Sequence, residues 1–152
     1  MKKLIAILAI IVASTIISAP PGNLNFIHNL AEKQQTTFND AVEFFAQVIY
    51  GKSYTFETNL TLLKRKGITK GMNYTKNSPL TKGMICLMAA RYNNLNDSLL
   101  YIIFKSERYA FRVCASHKIV KYNGSEWDQI SGEELIEIMN KTITLKEKKG
   151  KK

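Results

Sequence analysis

Cys114-Ala115-Ser116-His117 sets a thiol and an imidazole at helical spacing, which is half of a metal site. The only other histidine is His28, and no second Cys-x-x-Cys pair or carboxylate cluster supplies further ligands, so no metal is expected. Ser116 and His117 are neighbours, and adjacent residues on a helix do not face each other. With no Gly-x-Ser-x-Gly elbow either, nucleophilic hydrolysis has no apparatus. Glu133, Glu134 and Glu137 gather where a helix begins, and the helix dipole accounts for them. No glycine-rich phosphate loop is present. The residues therefore describe a non-catalytic protein without a cofactor. Cys86 and Cys114 make an even pair that an oxidising compartment could bridge; both lie in apolar runs, so two buried thiols fit equally well.

Binding chemistry is more visible. Pro79 keeps the chain extended, Thr81 caps a helix, and Leu80 with Ile85 staples its start. Lys82 then occupies the first helical position with no folding duty, beside unpaired backbone N–H groups that suit an anion. Tyr74 lies in the loop before it, and Arg91 ends the same helix. Trp127, in Ser-Glu-Trp-Asp, would either stack on a sugar or cover a helix junction. Lys82, Tyr74, Arg91 and Trp127 are the candidate ligand-binding residues.

The elements that must position them read as short helices. Leu24, Ile27, Leu30 and Ala31 suggest a lead-in helix. Asp40 with Glu43 suggests a capped start for a helix that Gly51 stops, and a second helix covers about 56–66. The helix opened by Thr81 presents Ile85, Met88, Ala89 and Tyr92 on one face. Asp97 is the expected cap of 98–104, with Leu99, Ile102 and Ile103 inward; Ser106 caps the helix to about Ser116. Ser131 with Glu134 forms a capping box before a last helix. No long alternating strand appears, so the class is mainly α.

The N-terminus bounds the setting. Met1-Lys2-Lys3, the apolar run Leu4 to Ile17, then Ser18-Ala19 before Pro20-Pro21-Gly22 is the order of an export signal, or of an uncleaved anchor. The expected organisation is signal or anchor at 1–19, linker and lead-in helix at 20–37, a helical domain at 38–145, and a basic disordered tail at 146–152. The 152 residues carry a formal charge of +10, or +8 without Lys2 and Lys3. In an exported protein that excess suits anionic envelope polymers or lipid head groups rather than nucleic acid.

Two segments, about 40–92 and 97–142, share one order of helices, polar loop and a final helix opened by a hydroxyl residue after an apolar one. Leu80-Thr81 and Ile130-Ser131 are the matching points. Asp40-Ala41-Val42, Gly67-Ile68-Thr69-Lys70-Gly71, Tyr74, Pro79 to Met84 and Met88-Ala89-Ala90-Arg91, with Ile119-Val120-Lys121 and Ile130 to Glu134 in the second segment, resemble a degenerate S-layer homology domain of two repeats. The family's basic ligand residue falls on Lys82 in the first segment and on Gly132 in the second. The resemblance implies a cell-wall anchor that binds anionic polysaccharide without chemistry. It makes the expected partner an envelope polysaccharide or envelope protein, with membrane contact only through residues 1–19. The rival expectations are a membrane-tethered accessory subunit of a larger envelope complex, and a small periplasmic enzyme or inhibitor.

Overall fold

The computed structural model describes residues 24–151; the expected signal or anchor at 1–19 and the start of the linker lie outside the described residues. The chain is mainly α-helical: α1 (Leu24–Ala31), α2 (Phe38–Tyr50), α3 (Phe56–Arg65), α4 (Lys82–Tyr92), α5 (Leu99–Phe104), α6 (Glu107–Ser116) and α7 (Gly132–Gly150). Among the described residues β-structure is limited to two isolated bridges, Thr37 with Pro79 and Thr81 with Gln129.

Local chemistry explains most helix starts. The side chains of Thr55, Thr81, Ser98 and Ser131 each accept the N–H three residues on, at Thr58, Met84, Tyr101 and Glu134. Two expected caps move. Thr37, not Asp40, caps α2; Asp40 sits one turn in, where its carboxylate accepts the Thr37 N–H at 2.8 Å and pairs with Lys33 at 2.6 Å. Ser98, not Asp97, caps α5, and Asp97 instead pairs with His117.

Three helix pairs build the core: α2 with α3, α4 with α6, and α7 with α1. The helix α4 lies at the centre, and every residue from Gly83 to Ala90 is buried, so the single apolar face expected of it is replaced by burial on all sides. Phe38, Phe44, Phe45, Ile85, Met88 and Leu135 are fully enclosed. The expectation for α5 is reversed. Leu99, Ile102 and Ile103 are exposed and only Tyr101 is buried, because at six residues α5 presents a single side chain to the core where it packs on α6.

The polar loops meet in one place. Thr36 N–H donates to the Ile130 carbonyl (3.0 Å), Ile130 N–H to Leu80 (3.3 Å), and Leu80 N–H to Thr36 (2.9 Å), a closed circuit of three. Each member stands just before the capping residue of a helix: Thr37 for α2, Thr81 for α4, Ser131 for α7. The matching points Leu80-Thr81 and Ile130-Ser131 thus have a third counterpart, Thr36-Thr37. The unpaired N–H groups that open each helix are also satisfied in rotation. Phe38 donates to Ser78 (2.8 Å), Lys82 to Asp128 (2.9 Å), and Gly132 to Lys33 (2.8 Å).

The C-terminus differs from expectation as well. Instead of a disordered tail from Lys146, α7 stays helical to Gly150. The reason is local: Lys146 donates to the Tyr92 carbonyl (2.8 Å) and lies over the Tyr92 ring, and Lys149 donates to the Asn93 carbonyl (3.3 Å). Both cations satisfy carbonyls at the C-terminal end of α4.

Candidate functional site

Lys82 does occupy the first position of α4, but it is not free. Its ammonium lies 3.3 Å from Asp128 and 3.5 Å from Glu134, with the side chain only 16% exposed. Asp128 is fixed by the Ser125 N–H at 2.9 Å, and that bond, followed by the one from Lys82, holds its carboxyl below the ordinary carboxylate value. Gly124, at φ +111°, leaves the room: a Cβ there would stand 2.4 Å from the Asp128 carboxylate and 3.1 Å from the Lys82 ammonium. The cation at the helix mouth is part of a folded ion cluster.

Tyr74 is likewise committed to the interior. Its ring meets Phe38 edge-on at 5.5 Å and its hydroxyl donates to the Glu107 carboxylate. Burial, then the bond to Glu107, pushes the phenol up to about 12. Arg91 donates to the Ile68 carbonyl at 2.9 Å and holds the turn after α3 against α4. Burial lowers its pKa, opposed by Tyr101 and Glu107, and a guanidinium remains charged at any physiological pH. Lys82 and Arg91 are nine residues apart on one helix, about two and a half turns, which puts them on opposite sides. Trp127 is 73% exposed on the loop before α7. The four candidate residues do not converge on one site.

Nor do the cysteine and histidine of the half metal site. Cys114 is buried and its thiol contacts the Cys86 carbonyl at 3.3 Å, while His117 turns to Asp97. Cys86 and Cys114 are unbridged and fully buried, and burial pushes the Cys86 thiol well above its usual value. Among the described residues no group of three His, Cys, Asp or Glu comes together as a metal site.

A different set of cations does converge. The ends of α3, α4 and α5 enclose a groove of about 260 Å³ lined by Lys66, Lys70, Arg91, Asn94, Tyr101 and Lys105 among others. A second groove of about 250 Å³ shares Lys66, Arg91 and Asn94 with it and adds Lys146. Together they form one basic trough whose lining holds no carboxylate. Lys66, Lys70 and Lys105 are exposed and enter no ion pair among the described residues. The groove beside the start of α7 is the opposite, with Glu133, Glu134 and Glu137 against Lys121 and Lys141. The trough offers positive charge and hydrogen-bond donors, the groups that suit an anion.

Of the trough residues, sequence reasoning reached only Arg91. The signal available was the basic ending of α3 and the lysines after Leu145, both of which also serve helix dipoles. Comparison with known proteins gives no match to a family model, to a curated protein or to a solved structure.

Proposed function

We propose that this chain is a non-catalytic binding and scaffolding domain of the cell envelope, with an anionic envelope polymer held along the Lys66–Lys70–Arg91–Lys105 trough. The observation that carries the reading is the trough itself: several cations from separate helix ends with no carboxylate in the lining. Opposite charge and a run of donors favour a polyanion over a neutral sugar. Export is supported by the order of residues in 1–19.

The rotation of the loop bonds relates three helix openings in turn, which favours three stacked units over the two repeats expected from the sequence. The units would then run from α1 to α2, from α3 to α4, and from α5 and α6 to α7. The position at which the family carries its basic ligand residue is Phe38, Lys82 and Gly132 in turn. Phe38 is buried, Lys82 is ion-paired and Gly132 has no side chain. The family's sugar site is therefore not the one proposed here.

Sedimentation with isolated cell-wall sacculi tests the reading. Wild-type protein co-sediments less as salt rises, and Lys66→Gln/Lys70→Gln weakens binding severalfold at low salt, a difference that shrinks at higher salt. Lys82→Ala lowers the melting temperature and leaves sacculus binding unchanged. Absence of wild-type binding, or a loss caused by Lys82→Ala without loss of fold, would reject the trough.

A further inference from the structure

The face of α5 is the largest contrast with an otherwise closed apolar core. Leu99, Leu100, Ile102, Ile103 and Phe104 are between 42% and 70% exposed. At about 100° per residue, these five side chains sweep an arc of roughly 200°, and only Tyr101 faces inward. A stripe that docks on a flat partner is nearer 100° wide. So wide an apolar arc on a six-residue helix fits a medium that surrounds it better than a surface that touches one side.

The charges around this tip are uneven. Lys105 ends α5, and Arg108 and Arg112 stand exposed on α6. Phe104 stacks on Tyr109 at 5.3 Å, and the Arg112 guanidinium lies 5.9 Å from the Tyr109 ring, so apolar tip, aromatic and cation are continuous. The neighbouring carboxylates are turned onto partners within the fold: Asp97 onto His117, and Glu107 onto Tyr74. Three exposed cations against these two carboxylates leave the balance of charge at the tip cationic. A second copy docked here by two-fold symmetry would bring like charges together, which argues against self-association.

We infer that α5 and the first turns of α6 dock on an anionic lipid bilayer, with Leu99, Ile103 and Phe104 entering the acyl boundary and Lys105, Arg108 and Arg112 meeting the head groups. Bulky aliphatics flanked by an aromatic belt and basic residues are the composition of an interfacial segment. The inference uses residues outside the shared trough cations except Lys105, and it stands whether or not a wall polymer binds there.

The test uses the full chain carrying Ile103→Cys labelled with an environment-sensitive fluorophore; the native thiols are buried and stay unlabelled in the folded state. A local reporter is needed because residues 1–19 could bring the chain to any membrane. With phosphatidylcholine vesicles containing about one-quarter phosphatidylglycerol, the emission shifts to the blue. In an Arg108→Gln/Arg112→Gln background the docking constant falls about fivefold for each charge removed, with the circular dichroism spectrum unchanged. Three results overturn the inference. The emission with anionic vesicles stays as in buffer. The same shift occurs with pure phosphatidylcholine and ignores the arginines. Or the shift appears without lipid as protein concentration rises, which assigns the face to a second copy.

Discussion

Lys82 and Tyr74 each give their polar atom to a carboxylate on another element, and that fact separates what they look like in sequence from what they do. A lysine at a first helical position reads as free until the chain brings Asp128, 46 residues later, to within 3.3 Å. Tyr74 reads as a loop aromatic, yet its hydroxyl ties the loop to Glu107 at the start of α6. This bond has a pH signature. The folded phenol is raised from 10.0 to about 12, so the folded state holds that proton more tightly than the unfolded state. The contribution is whole below pH 10 and is lost as the pH climbs toward 12. Alkaline urea titrations should therefore show stability falling over that window, and Tyr74→Phe should flatten the fall. At neutral pH the same substitution should cost about 1–2 kcal/mol, because Glu107 loses its donor. An unchanged alkaline slope in Tyr74→Phe would remove Tyr74 as the titrating group.

At the scale of elements, Gly132 shows how tightly one helix start is set into another unit. A Cβ on Gly132 would stand 1.5 Å from the Leu30 carbonyl oxygen, at the very place where Gly132 N–H reaches Lys33. Gly132→Ala must push α1 off α7, at a cost of about 2–3 kcal/mol by urea unfolding. Ala at Gly150, with open space around it, should cost nothing comparable and serves as the control. Helix starts were largely legible, since Thr81, Ser106 and Ser131 announce themselves by residue type and by the apolar periodicity of the next two turns. The features that were not legible depend on distant partners. Thr37 is the cap of α2 because Asp40, three residues on, closes its capping box by accepting the Thr37 N–H, while Lys33 pairs with Asp40 from before the helix. The run Leu99-Leu100-Tyr101-Ile102-Ile103-Phe104 looks like a core segment by composition, yet its helix is too short to bury more than Tyr101. The lysines after Leu145 look disordered until the α4 carbonyls they satisfy are known. The candidate site failed to form for the same kind of reason. Its members were chosen along the chain, whereas the basic trough is assembled from the ends of four helices that meet only in the fold.

For the whole molecule, the decisive matter is whether the domain is two segments in series or one closed circuit. In a series arrangement the stretch before Asp40 is a lead-in, and its removal should cost little beyond its own contacts. In the closed circuit it is a third side. Leu30 is fully buried, α1 covers α7, Lys33 satisfies the first N–H of α7, and Thr36 bonds both Ile130 and Leu80. A chain beginning at Thr37 would expose Leu30's site, free the opening N–H of α7, and leave Ile130 and Leu80 without their shared partner. Buried backbone groups left unpaired in this way cost about 1–3 kcal/mol each, against a total stability of about 5–15 kcal/mol for a domain of ordinary size. The deletion of residues 24–36 should therefore abolish the cooperative thermal transition of the entire domain, including the α4–α6 pair, which the deletion does not touch. Circular dichroism melting together with amide exchange in α4 and α6 reads this directly. If α4 and α6 stay protected and the melt stays sharp, the domain is two segments with an accessory helix, and the closed circuit of loops is a contact rather than the frame.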